Sequence, residues 1–190
     1  MELRPYQEAA RTNIHDQWAS GVQRTLLVLP TGTGKTIVFA AVTEDEVRAG
    51  NRVLILAHRG ELLEQAADKI KKSTGLQCAV EKAESSCRGS WLRITVGSVQ
   101  SLQRPQRLEQ FPHDYFGTIV IDEAHHAITD GYRRILDWFD EAHVLGVTAT
   151  APTLKEALCA AYEKAEKISF NNAFYRKDIG LKALNAGKEN

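Results

Sequence analysis

The stretch Leu29-Pro30-Thr31-Gly32-Thr33-Gly34-Lys35-Thr36 follows the apolar run Thr25-Leu26-Leu27-Val28-Leu29 and leads into Ile37-Val38-Phe39-Ala40-Ala41-Val42. A β-branched, Leu-rich run that breaks at Pro and two Gly and then resumes reads as buried strand, tight loop and helix. The two glycines let the backbone curl closely around an anion, and the N–H groups left free in the first turn of the new helix suit an anion's charge. Lys35 adds a point charge for the β- and γ-phosphates of a nucleotide, and the Thr36 hydroxyl offers a ligand to magnesium. The strict pattern G-x-x-x-x-G-K-[ST] asks for glycine at position 29, where this chain has Leu29. Gly32, inside the loop, supplies the flexibility instead.

Outward from this loop the chain alternates in the same way. Tyr6, Ala10, Ile14 and Trp18 recur at helical spacing after Pro5, and Gly21 ends that helix before the first strand. Arg52 to Ala57 reads as a second strand buried on both faces, and after His58-Arg59-Gly60-Glu61 a helix carries Leu62, Leu63, Ala66, Ala67 and Ile70 on one face. A short strand is expected near Leu76 to Val80, a clearer one over Trp91 to Val96, and a short helix capped by Ser98 whose end is forced by Pro105. Phe116 to Ile121 is another buried strand and delivers Asp122-Glu123-Ala124-His125-His126. A helix capped at Thr129 or Asp130 and a last strand, Val144 to Ala149, follow. Thr153-Leu154-Lys155-Glu156 has the form of a capping box and predicts a terminal helix; beyond Phe170 the expectation is loop, a short helix at most, and a frayed tail. Buried strands alternating with amphipathic helices imply an α/β fold, a mostly parallel sheet with helices on both faces, whose ligands gather at the carboxyl ends of the strands.

Asp122 and Glu123 end such a strand, so the sheet presents two carboxylates on the side of the phosphate loop. Phosphoryl transfer needs one carboxylate to hold magnesium and another group to orient or deprotonate water, which assigns the metal to Asp122 with Thr36 and the water to Glu123. An exposed acidic pair at a strand end is the plainer reading of these two residues taken alone; their pairing with the phosphate loop sets it aside. His125-His126 have no carboxylate or cysteine at a convincing zinc spacing, and His15, His113 and His143 are isolated.

With 190 residues, 43% of them hydrophobic and 25% charged, the composition is that of one ordinary globular domain. Twenty-four basic residues balance 24 acidic ones, so any nucleic-acid contact must come from a local surface. Three cysteines, odd in number and without C-x-x-C spacing, disfavour a disulfide framework. There is no signal-like segment and no apolar run of membrane-spanning length, and the expected setting is the cytoplasm, with no membrane partner.

Together these motifs resemble the first RecA-like domain of a superfamily 2 helicase or translocase of the DEAH-box type, a P-loop NTPase domain close to the type III restriction-subunit and repair-helicase group. Leu3-Arg4-Pro5-Tyr6-Gln7 resembles the adenine-reading element, Pro30 to Thr36 motif I, and Ala57 to Leu62 motif Ia. Thr95 to Leu102 resembles the next nucleic-acid motif, Asp122-Glu123-Ala124-His125 motif II, and Thr148-Ala149-Thr150 motif III. The resemblance implies an ATP site in which Arg4 and Gln7 read adenine, where spacing alone shows only a helix start. Thr31, Gly32, Thr33, Gly34, Lys35 and Thr36 would cradle the phosphates. It implies that Arg59 and Ser98 meet nucleic-acid phosphates, DNA before RNA, and that His125, Thr148 and Thr150 couple the two sites. Catalysis would fall to Lys35, Asp122 and Glu123 with ATP and Mg2+ as cofactors.

The resemblance places the ATP-binding domain at residues 1–152 and a C-terminal helix and tail at 153–190, without the second RecA-like domain that supplies the family's arginine finger. An arginine finger is worth about 10³–10⁵ in rate, so the chain alone is expected to hydrolyse ATP weakly or not at all, and to need a second RecA-like domain or a helicase partner chain. A non-catalytic helicase module that binds nucleic acid or a partner protein is the alternative, and a small-molecule kinase a third.

Overall fold

A computed structural model describes residues 3–150, except Thr31, 58–61, Glu84, His125, His126 and Ile128, together with residues 173–174. Six helices and seven strands are assigned among the described residues. They run in the order α1 (Pro5–Ala19), β1 (Arg24–Pro30), α2 (Lys35–Arg48), β2 (Val53–Ala57), α3 (Leu62–Thr74), β3 (Cys78–Glu81) and β4 (Ile94–Ser98). There follow α4 (Val99–Leu102), α5 (Pro105–Leu108), β5 (Thr118–Asp122), α6 (Asp130–Trp138), β6 (His143–Thr150) and β7 (Ala173–Phe174). The strands form one sheet in the order β3-β4-β2-β5-β6-β1-β7, and every pairing is parallel.

The continuous apolar runs of the central strands exist because both faces are covered. On one face Val53, Ile55, Val120, Leu145 and Val147 pack with Ile14 and Trp18 of α1, Val38, Phe39 and Val42 of α2, and Leu63 and Ile70 of α3. On the other, Leu54, Leu56, Ile119, Ile121 and Val144 pack with Val99 and Leu102 of α4, Leu108 of α5, and Tyr132, Ile135 and Leu136 of α6. Successive residues of β2 therefore enter opposite cores, the period of two that an extended strand imposes.

Three local expectations are corrected. The strand expected from Trp91 begins at Ile94 and runs on to Ser98, and Trp91 is 82% exposed. The Arg52 guanidinium explains the delay: its Nη1 donates to the carbonyls of Ser90 at 3.3 Å and Leu92 at 3.1 Å, so these acceptors are held by a side chain. Pro105 starts a helix as well as following one, since it opens α5, where its missing N–H costs nothing. Past Phe170, where loop was expected, Ala173 and Phe174 add a strand beside β1, opposite Arg24 and Thr25; two residues are too few to show a period in sequence. The helix expected from Thr153 lies outside the described residues.

Candidate functional site

The carboxyl ends of β1, β6 and β5 stand side by side, and each releases one of the motifs. Gly32 and Gly34 both take left-handed backbone conformations, φ +82° and +80°, which side-chain-bearing residues adopt only at a cost. Thr33 closes the turn between them: its backbone N–H and its hydroxyl both donate to the Pro30 carbonyl, at 3.3 and 2.6 Å. Gly34 is the N-cap of α2, so Lys35 and Thr36 occupy the helix's first turn. Thr31 lies outside the described residues.

The first turn of α1 holds this loop from outside. Gln7 is 4% exposed; its Oε1 accepts the Arg4 N–H at 2.9 Å and its Nε2 donates to the Thr33 carbonyl at 3.1 Å. The Tyr6 hydroxyl donates to the same carbonyl at 2.6 Å. Gln7 thus acts on the loop in this structure, while Arg4 is exposed at the head of α1. Tyr6 was missed in the sequence because its helical spacing marks it as a core residue; it is 40% exposed, and its hydroxyl reaches the loop.

At the end of β5, Glu123 has φ +53°, a conformation uncommon for a residue with a side chain. There its N–H donates to Asp122 Oδ1 at 3.0 Å. Its own carboxylate lies 3.7 Å from Lys35 Nζ, across the two strand spacings, about 10 Å, that separate β5 from β1. Burial pushes the Asp122 carboxyl above the ordinary aspartate range, the adjacent Glu123 charge adds to this, and the Glu123 N–H, Lys35 and Lys69 oppose it only in part. The Asp122 carboxylate and the Thr36 hydroxyl stand at the same edge of the sheet and offer the hard oxygen donors magnesium takes. Among the described residues no three His, Cys, Asp or Glu side chains form a metal cluster, so a magnesium ion held here would take its other ligands from phosphate and water.

Between the two loops, Thr148 is buried in β6, pairs with Val28 of β1 and follows Val147, the partner of Asp122. Thr150 pairs with Pro30. The side chain of Thr150, and His125 and Arg59, lie outside the described residues. Ser98 is on the expected edge but does not reach the surface: the longer β4 pairs it with Ala57, and it is 3% exposed. Its exposed neighbour is Gln100, on α4. Cys78, at the start of β3, and Cys87, in the loop after it, lie apart from these strand ends, and burial pushes their thiols up to about 11 and about 12.

Residues 1–153 match the family model of the type III restriction enzyme, res subunit. The putative ATP-dependent helicase IRC3 of Saccharomyces cerevisiae is 34% identical over 87% of this chain and 24% of its own length. The EcoAI type I restriction enzyme endonuclease subunit of Escherichia coli is 30% identical over 84% of this chain and 20% of its own. The chain therefore spans about a quarter or less of these relatives. The helicase domain of Hef from Pyrococcus furiosus superposes with a TM-score of 0.68 at 22% identity, covering 96% of this chain and 40% of that one. The UvsW helicase of bacteriophage T4 gives 0.64 at 20% identity, over 93% and 61%. With this fold and the family's motifs in the family's order, the chain belongs to the type III restriction enzyme res-subunit family and is a RecA-like domain of the superfamily 2 helicase kind.

Proposed function

We propose that this chain is the nucleotide-binding half of a nucleic-acid helicase or translocase motor, binding Mg-ATP across Pro30–Thr36 and Asp122–Glu123 and a nucleic-acid backbone across the ends of β2 and β4. The observation that carries the reading is the 3.7 Å approach of Lys35 to Glu123, because it brings the phosphate-loop cation and the paired carboxylates to one place from strands that are not neighbours. Bound magnesium would neutralise phosphate charge and would be held by Thr36 and Asp122. Lys35 orients the terminal phosphates, and Glu123, freed from Lys35 by that contact, positions or deprotonates the attacking water. Gln7 and Tyr6 keep the Thr33 carbonyl turned toward α1, which fixes the curl of the loop.

Efficient hydrolysis on this reading needs a second RecA-like domain, with residues 1–152 acting as the first. Arg59 remains the proposed phosphate contact on the β2 edge, and His125, Thr148 and Thr150 the proposed link between the sites. DNA is taken before RNA because the structurally similar type ISP restriction-modification enzyme LlaGI was solved in complex with a DNA substrate mimic. The two free cysteines among the described residues suit a reducing compartment such as the cytoplasm. No helix among the described residues is long and apolar enough to cross a membrane.

Calorimetric titration with ATP and magnesium tests the reading. Lys35→Ala is expected to lose at least about tenfold in affinity, the worth of one charge-assisted contact to phosphate; unchanged affinity in that variant sinks it. ATP binding with no turnover in any combination with a second RecA-like domain would turn the assignment to the non-catalytic module.

A further inference from the structure

Between the loop that leaves β3 and the turn that joins α4 to α5 lies a cavity of about 190 Å³, lined by Ala83, Ser101, Arg104, Gln106, Arg107 and Gln110. No carboxylate is among the described residues that line it. Its two arginines differ in their surroundings. Arg107 is anchored: its Nε donates to Glu81 Oε1 at 2.6 Å, and its Nη2 to the carbonyls of Lys82 at 2.6 Å and Ser85 at 3.1 Å. Glu81 is fully buried and its other oxygen accepts the Cys87 N–H at 2.6 Å. One charge is thereby neutralised while Arg107 Nη1 keeps its hydrogens without an acceptor among the described residues. Arg104 has an exposed side chain that forms no ion pair among the described residues, on a backbone that is fixed: its carbonyl accepts the Arg107 and Leu108 N–H groups at 2.9 and 3.1 Å. Among the described residues the lining therefore carries one positive charge without a counter-charge, a fixed guanidinium edge, the Gln106 amide, and the Gln110 amide, whose Nε2 donates to the Gln106 carbonyl at 2.9 Å.

Ala83 lies just past the carboxyl end of β3, and Ser101 and Arg104 just past that of β4. These lining residues thus follow the carboxyl ends of β3 and β4, the edge of the sheet that carries Lys35 and Glu123, and lie toward the opposite end of the strand order from β1. A chain of phosphates lying across the ends of β2 and β4 would run toward them.

We propose that this pocket binds a phosphodiester of the nucleic-acid strand, with Arg104 as the ion-pairing residue and Arg107 as a preset donor, so that the strand is held at the β3–β4 margin, away from the nucleotide. The inference rests on the nucleic-acid reading above. One neutralised phosphate contributes about 0.7 to the slope of log affinity against log salt for a single strand and about 0.9 for a duplex.

The test is fluorescence anisotropy of the full chain with labelled single strands of about 20 nucleotides and the matching duplex, between roughly 50 and 200 mM potassium chloride. Arg104→Ala is expected to bind about tenfold more weakly at the lower salt and to lose about 0.7–0.9 from the slope. Arg104→Lys, which keeps the charge, should recover most of that slope. ATP affinity and melting temperature should match the wild type in both variants, since the Arg104 side chain is exposed and stands at the β3–β4 end of the sheet, away from the nucleotide loop that follows β1. Wild-type binding with an unchanged slope in Arg104→Ala overturns this pocket while leaving the nucleic-acid reading in place; failure of the wild type to bind either strand overturns both.

Discussion

Gly34 carries two constraints that Gly32 does not share. Both have positive φ, but a Cβ on Gly32 would meet nothing within 4 Å, whereas one on Gly34 would lie 2.6 Å from Gln7 Nε2. Gly32→Ala is therefore expected to cost only the left-handed strain, about 1–2 kcal/mol. Gly34→Ala should cost that and also displace Gln7 from the Thr33 carbonyl, adding about 1 kcal/mol for the lost hydrogen bond. Urea unfolding of the two variants checks the difference, and equal losses would mean that Gln7 is not anchoring the loop. At Glu123 the unusual φ is part of the proposed chemistry, since it supplies the N–H that bonds Asp122. Glu123→Gln keeps the shape and removes the charge that meets Lys35. Its expected outcome is retained ATP binding with hydrolysis reduced by about 10²-fold or more, in the presence of whatever second domain supports turnover, measured by single-turnover phosphate release.

Among the elements, α1 and α2 are joined by a charged seam on the far side of the phosphate loop. Arg11 grips Asp45 with Nε and Nη2 at 2.6 and 2.7 Å, and His15 Nε2 lies 3.1 Å from the same carboxylate. Burial alone would raise Asp45, but the hydrogen bonds and charges of Arg11 and His15 outweigh it and hold the carboxyl below the ordinary aspartate range. A depressed folded-state value adds stability that is fully present above the unfolded value near 3.8 and is lost as pH falls through the folded one. Asp45→Asn should accordingly melt lower than the wild type at pH 7, by roughly 2–4 °C for a loss near 1 kcal/mol in a chain of this size, and the gap should close in strong acid. A gap independent of pH would assign the loss to packing.

The seam at β3 is of a different kind because Glu81 has no water to fall back on. Removing its partner by Arg107→Ala leaves a buried, unpaired carboxylate and is expected to cost about 3–5 kcal/mol in chemical denaturation. Replacing both residues by apolar ones of similar volume should recover much of it. This contrast is why Arg104, and not Arg107, reports on the pocket the two residues share.

At the scale of the whole molecule, the sheet order decides what can meet. Motif I and motif II end strands with β6 between them, so Lys35 and Glu123 approach over the top of a strand whose own end carries Thr148 and Thr150. Any movement of the Glu123 loop is thereby placed beside β6. A second RecA-like domain from a member of the family, added as a separate chain or fused after residue 190, is expected to raise ATP turnover by about 10³-fold or more if it brings an arginine finger. Steady-state ATPase measurements with and without that domain check this, and no gain from an arginine-bearing partner would count against a composite site.

The parallel α/β class, the strand-loop-helix at Leu29–Thr36 and the carboxylates at the end of Ile119–Ile121 are all legible in the chain, because buried strands and glycine-broken loops leave a local, periodic record. Other features leave none. The Tyr6 and Gln7 bonds to Thr33 span 27 and 26 residues, the Arg52 bonds that delay β4 reach across β2, α3 and β3, and the Glu81–Arg107 pair spans a loop, β4 and α4. Ser98 shows the limit most plainly: its identity and position suit a phosphate contact, yet extending β4 by two residues buries it in the ladder and leaves Gln100 exposed. Sequence by itself determined which chemical groups stand at the ends of which strands, since that follows from local pattern. Tertiary structure alone decided which of those ends are adjacent, which side chains are spent on holding a loop and which arginine is already ion-paired, because adjacency, burial and pairing are set by the strand order and by partners distant in sequence.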